Sequence, residues 1–139
     1  MSSTATATPP RGAMLTTVIG LTALAVGAGL GSSSRLSYHE AIVAQAAREM
    51  IATGDLVTPT IGGRPWLEKP PLAIWLVAAS GSLAGGLDEA SARLPSAVAA
   101  CALAAGVALL AAGRFGPGVG LLAGLIQATT VWTVVRGRL

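Results

Sequence analysis

Apolar residues fall in long blocks that flank one polar stretch. Gly12 to Ser34 carries no charge, and Met14 to Leu30 is apolar but for three threonines. That run is about long enough to cross the ~30 Å hydrocarbon layer of a bilayer. Leu94 to Gly113 and Gly118 to Val135 are likewise uncharged and read as two further spans, joined by the tight turn Arg114-Phe115-Gly116-Pro117. Trp132 would sit near a membrane interface. A signal peptide with Arg11 as its basic region is the competing reading of the first block. No clean A-x-A site follows, and the later spans favour a retained anchor.

The polar stretch runs from Ser37 to Pro71 and breaks into three pieces. Ser37 to Thr53 predicts an amphipathic helix, because Ile42, Val43, Ala46, Ala47, Met50 and Ile51 recur on one face at helical period. Ser37-x-x-Glu40 fits a capping box at its start, and Gly54 fits a stop. Such a helix lies flat on a membrane surface. Asp55 to Lys69 is a loop punctuated by Pro59, Gly62-Gly63 and Pro65. Leu72 to Ala79 is densely apolar but short, with Pro71 suited to a first helical turn. It is read as a second juxtamembrane helix, with a span as the alternative. Asp88-Glu89-Ala90 can open the next helix.

The expected architecture is therefore an all-α, multi-pass membrane protein. It has a disordered cytoplasmic tail over 1–13 and spans near 14–31, 92–113 and 117–135. A loop over 32–91 carries two amphipathic juxtamembrane helices. Composition agrees: 53% of the residues are hydrophobic and 11% charged, too apolar for an ordinary soluble domain. Abundant small residues suit close contact between helices in lipid. No basic patch interleaved with aromatics occurs, so no nucleic-acid partner is expected. Cys101 is the single cysteine and cannot form an intrachain disulfide. No charge falls inside the apolar runs Met14–Leu30, Leu94–Gly113 and Gly118–Val135, which gives a transporter subunit no support.

All six acidic residues (Glu40, Glu49, Asp55, Glu68, Asp88 and Glu89) lie between the first two spans, so any chemistry belongs there. The pieces of that region resemble a known pattern. They are His39-Glu40; Ala47-Arg48-Glu49-Met50; Gly54-Asp55-Leu56 with Pro59; Gly63-Arg64-Pro65-Trp66-Leu67-Glu68-Lys69-Pro70-Pro71-Leu72 with Trp75; and Ala92-Arg93-Leu94-Pro95-Ser96-Ala97. In order and spacing this is similar to the first extracytoplasmic loop of GT-C glycosyltransferases of the protein mannosyltransferase and aminoarabinose transferase type, glycosyltransferase family 39 and relatives. Two departures stand out: that family usually has Asp-Glu where His39-Glu40 stands, and its basic or aromatic residues after the pair are Ile42 and Val43 here. Family members are also several times longer, so the chain reads as an N-terminal portion that would lack activity by itself.

The resemblance implies inverting sugar transfer from a polyprenyl-phosphate donor to a lipid, glycan or protein acceptor. It implies a cell-membrane location with the polar loop extracytoplasmic. Membrane lipids and the lipid-linked sugar are the expected partners. The reaction needs a group to orient and deprotonate the acceptor and positive charge against the leaving phosphate. Glu40 and His39 are the catalytic candidates, against plain roles as a cap and a solvated loop residue. Lys69, the only lysine, is the candidate phosphate clamp, against a local pair with Glu68 or headgroup anchoring. Arg48 and Arg93 either join it on the donor phosphate or close internal ion pairs. Glu68 and Asp55 are candidate substrate or metal contacts, and with Glu40 and His39 they form a loose donor set for a divalent ion. Trp66 and Trp75 read as interfacial packing residues rather than sugar platforms.

One conflict stands in the charges. With the polar loop outside, only Arg11 and Arg114 of the nine Lys and Arg fall inside, against the positive-inside bias, which weakens for long loops. A non-enzymatic membrane scaffold or accessory protein, or an inactive truncated product, is the alternative function.

Overall fold

The computed structural model describes residues 10–28, 30 and 36–130. Five helices and one small hairpin fill that range: α1 Arg11–Gly27, α2 Tyr38–Thr53, β1 Thr60–Ile61, β2 Arg64–Pro65, α3 Pro71–Ala84, α4 Glu89–Phe115 and α5 Pro117–Thr129. α4 is the hub, since α1, α5 and α3 all pack on it. α2 packs on α3, and the hairpin packs on α2.

Small residues let the α1, α4 and α5 axes approach. α4 presents Ala100, Ala104, Ala108 and Ala112, all buried and spaced by four. α1 answers with Met14, Val18, Thr22 and Val26 at the same spacing. α5 does so with Gly120, Gly124 and Ala128. Met14 and Val18 meet the far end of the alanine row while Val26 meets Ala97 and Ala100, so α1 runs antiparallel to α4. The α5 glycines are required by space. A Cβ on Gly120 would stand 2.6 Å from the Ala108 carbonyl oxygen, and one on Gly124 would stand 2.7 Å from a Val18 methyl. Such small-xxx-small rows are how helices associate where no hydrophobic driving force acts between them. Thr22, fully buried on α1, satisfies its hydroxyl by donating to the Val18 carbonyl at 2.7 Å.

The rest of the fold follows its local signals. Both bonds of the Ser37–Glu40 capping box form, and Gly54 closes α2 at φ 73°. α2 buries Ala44, Ala46, Ala47 and Met50, while Ile51, on the predicted apolar face, is 43% exposed. Asp88 caps α4 through a second capping box with Ser91. Pro95 lies inside α4 and cannot donate to the Ser91 carbonyl one turn back. Ser80 of α3 donates to that carbonyl instead, at 2.8 Å.

The described elements differ from several expectations. Among the described residues only α4 is both long and apolar enough to cross a membrane. α1 has 17 residues and α5 has 13, shorter than the ~20 a span needs. The expected spans 14–31 and 117–135 extend past these helices, and 29, 31 and 131–135, with Trp132, lie outside the described residues. Of the expected tail, 1–9 also lies outside them, and Arg11–Ala13 form the first turn of α1. α3 is not amphipathic: it buries Ile74, Val77 and Ala78 yet also exposes Leu72, Trp75, Leu76 and Leu83. The loop at 55–69 holds an antiparallel hairpin, since Gly62 and Gly63 take φ 60° and 74°, as a tight two-residue turn demands.

Candidate functional site

The capping box at the start of α2 places Ser37, His39 and Glu40 at the mouth of a cavity of about 570 Å³. Lys69 lines the same cavity, held just before the Pro70-Pro71 start of α3. The walls are helical. Ala73, Leu76 and Val77 come from one face of α3, and Ala92, Pro95, Ser96 and Ala99 from one face of α4. The result is a polar rim over a mostly apolar trough.

Glu40 is firmly held. Its Oε1 accepts from Arg93 Nε at 2.9 Å, with both side chains almost fully buried. Its Oε2 accepts from the Ser37 amide at 2.6 Å. Burial alone would raise the Glu40 carboxyl, but the hydrogen bonds from Arg93 and Ser37 and the Arg93 charge outweigh it and hold the group below its ordinary value of 4.5. About two of its four lone-pair sites stay open. His39 is exposed beside it, its ring edge-on to Tyr38 at a centroid distance of 5.7 Å.

Lys69 is exposed and makes no ion pair or hydrogen bond among the described residues, so the local Glu68–Lys69 pair does not form there. Lys69 also lines a second cavity of about 400 Å³, with Glu68, Val57, Pro59 and Leu67.

The remaining candidates are placed elsewhere. Arg93 lies behind Glu40 rather than on the cavity wall. Arg48 donates from Nη2 to the Leu87 carbonyl at 3.1 Å, tying α2 to the α3–α4 connection. Asp55 Oδ1 accepts from the Thr58 and Val57 amides at 3.1 and 2.8 Å. Those bonds lower its carboxyl and commit it to shaping the loop. Among the described residues, no three His, Cys, Asp or Glu side chains come together to hold an ion.

Trp75 is exposed, and its indole N–H donates to the Leu56 carbonyl at 2.7 Å. Trp66 is half-buried against the cluster formed by Ala46, Ala47 and Ile74. Sequence reasoning missed Glu49, which reads as a solvated helix position yet gathers four hydrogen bonds. Its one sequence signal was a carboxylate a dozen residues before a Gly-Gly pair.

A family model described as dolichyl-phosphate-mannose-protein mannosyltransferase matches residues 68–139, just over half of the sequence. The chain belongs to that family. Membership places it among glycosyltransferases, and α4 supplies an apolar helix of the kind a membrane-bound member of the family requires. The match takes in Glu68, Lys69 and Arg93; His39, Glu40, Arg48 and Asp55 precede it. Among curated proteins and solved structures, none matches.

Proposed function

We propose that this region forms the donor-and-acceptor cavity of a membrane glycosyltransferase that moves a sugar from a polyprenyl phosphate to an acceptor hydroxyl on the extracytoplasmic side of the cell membrane. One observation carries the reading: Lys69, His39 and Glu40 line a single cavity, although the cation lies thirty residues from the pair in sequence. Family membership supplies the reaction class.

In this reading the acceptor oxygen attacks the anomeric carbon. The carbon–oxygen bond to the lipid phosphate breaks, and its electron pair leaves with the phosphate. The Lys69 ammonium neutralises the charge that develops there. The proton released by the acceptor passes to His39. A carboxylate held below its ordinary value by Arg93 and Ser37 is a weak base at neutral pH, so Glu40 acts instead by accepting a hydrogen bond from the acceptor hydroxyl. The apolar trough of Ala73, Leu76, Val77 and Ala99 suits the first isoprene units.

Radiolabelled sugar transfer from polyprenyl-phosphate donors, by membranes holding the full chain, tests this. A charge-assisted contact contributes about 1.5–3 kcal/mol. Lys69→Met should therefore raise the donor KM by roughly ten- to hundredfold with little change for the acceptor. Equal losses toward donor and acceptor would overturn the assignment of Lys69.

A further inference from the structure

Glu49 stands nine residues after Glu40 on α2, about 14 Å along the axis at 1.5 Å per residue. Its carboxylate turns to the hairpin, not to the cavity. Oε1 accepts from the Gly62 amide at 2.7 Å and from Gln45 Nε2 at 2.9 Å. Oε2 accepts from the Thr60 hydroxyl at 2.7 Å and from the Gly63 amide at 3.2 Å. A carboxylate has about four lone-pair sites, and here each has a donor. Three of the donors belong to the hairpin. The consecutive Gly62 and Gly63 amides of the turn both donate to this one carboxylate, an anion held by backbone N–H groups.

The hairpin needs such a partner. Its strands are two residues each, and an isolated two-stranded ribbon is marginal in water. Beyond the ladder, the Trp66 amide donates to the Pro59 carbonyl at 2.8 Å. Only Leu67 and Glu68 then separate Trp66 from Lys69, and α3 begins two residues later. Where the hairpin sits therefore sets where Lys69 can stand.

We propose that Glu49 is a positioning residue for Lys69: it latches the hairpin to the same helix that carries His39 and Glu40 and so fixes the span across which cation and acceptor groups work. This rests on the reading of Lys69 as the donor-phosphate contact. Glu49→Gln puts an amide N–H₂ where two donors already point, and Glu49→Asp withdraws the carboxylate by one methylene. Thr60→Val removes one donor without touching the charge.

The test is donor and acceptor kinetics of the full chain in membranes for E49Q, E49D, T60V, K69M and E49Q/K69M, with hydrogen exchange of residues 60–66 in each. E49Q should raise the donor KM about fivefold or more, leave kcat within about twofold and loosen the hairpin amides. E49D and T60V should fall between E49Q and the parent. On the K69M background E49Q should add less than about twofold, because its effect passes through Lys69. The same factor on both backgrounds would overturn the proposal, as would a loosened hairpin with an unchanged donor KM. Should K69M leave the donor KM unchanged, the reading of Lys69 fails first, and loosening in E49Q then reports loop stability alone and ends the positioning role. If E49Q does not accumulate, E49D and T60V decide by the same criteria.

Discussion

Replacing Arg93 by Met should destabilise the protein far more than the loss of one surface ion pair. Arg93 and Glu40 have side chains only 4% and 7% exposed, and their 2.9 Å contact joins α4 to α2 across 53 positions of sequence. Without the guanidinium, the Glu40 carboxylate keeps only the Ser37 amide among the described residues. Removing one partner of a buried pair leaves an uncompensated charge, at about 3–5 kcal/mol. The design includes its own control. In Glu40→Gln/Arg93→Met the amide oxygen still accepts the Ser37 N–H bond, and no charge is left behind. The double variant should recover most of the loss, a coupling of at least about 2 kcal/mol, within the range seen for directly contacting residues. Equilibrium unfolding in detergent micelles at pH 7, followed by helical circular dichroism, gives all three values. A single-variant loss below about 1 kcal/mol, or losses that simply add, would refute the argument. The pH dependence has a definite sign. Folding lowers the Glu40 pKa, so the pair's contribution is complete above the ordinary value of 4.5 and is lost as pH falls through the lower folded value.

Further outcomes follow from particular contacts. Ser80→Ala should cost about 1–3 kcal/mol by leaving the Ser91 carbonyl without a donor, and Pro95→Ala in that background should restore stability by returning the helical N–H. The same unfolding assay reads both. Gly120→Ala should destabilise by about 1–3 kcal/mol through overpacking against Ala108 and Ala112, whereas Gly106→Ala, where a Cβ meets nothing, should be neutral or stabilising. The Glu49 carboxyl, held at about 2 by the Thr60 hydroxyl, Gln45 and the two glycine amides, should keep the hairpin latched well below pH 4.5. Protection factors at Gly62 and Gly63 should persist at pH 4 and fall as pH approaches 2.

What could be read in advance was what short-range chemistry dictates. The Ser37–Glu40 box, the Gly54 stop, Pro71 in a first turn and the start of α4 near Asp88 each depend on residues within one turn, so their signals are complete in the sequence. The joint presence of Glu40 and Lys69 at one cavity was expected from motif resemblance alone, because no local rule brings residues 40 and 69 together. The Glu40–Arg93 pair was invisible for the same reason, and Arg93 was assigned to the donor phosphate or to an unspecified ion pair. The Asp55 bonds to its own loop were not foreseen, because an acidic residue in a polar loop looks the same in sequence whether or not it caps its own backbone. The hairpin escaped notice because two-residue strands show no alternation. The i, i+4 rows of Ala, Gly and Val that build the α1–α4–α5 contacts were legible only as a general richness in small residues. Uniformly apolar helices give no pattern that says which face meets a neighbour.

The central claim is that a lipid-linked phosphate rests over Lys69 with its chain in the trough between α3 and α4. Photolabelling full-length protein in membranes with a polyprenyl phosphate carrying a photoreactive group in its first isoprene unit, followed by peptide mapping, addresses it directly. Adducts on the α3 and α4 wall around Ala73, Leu76 and Ala99, lost in Lys69→Met, are the expected result. Labelling that ignores Lys69→Met, or that concentrates instead in the separate groove of Met50, Ile51 and Val57, would contradict it.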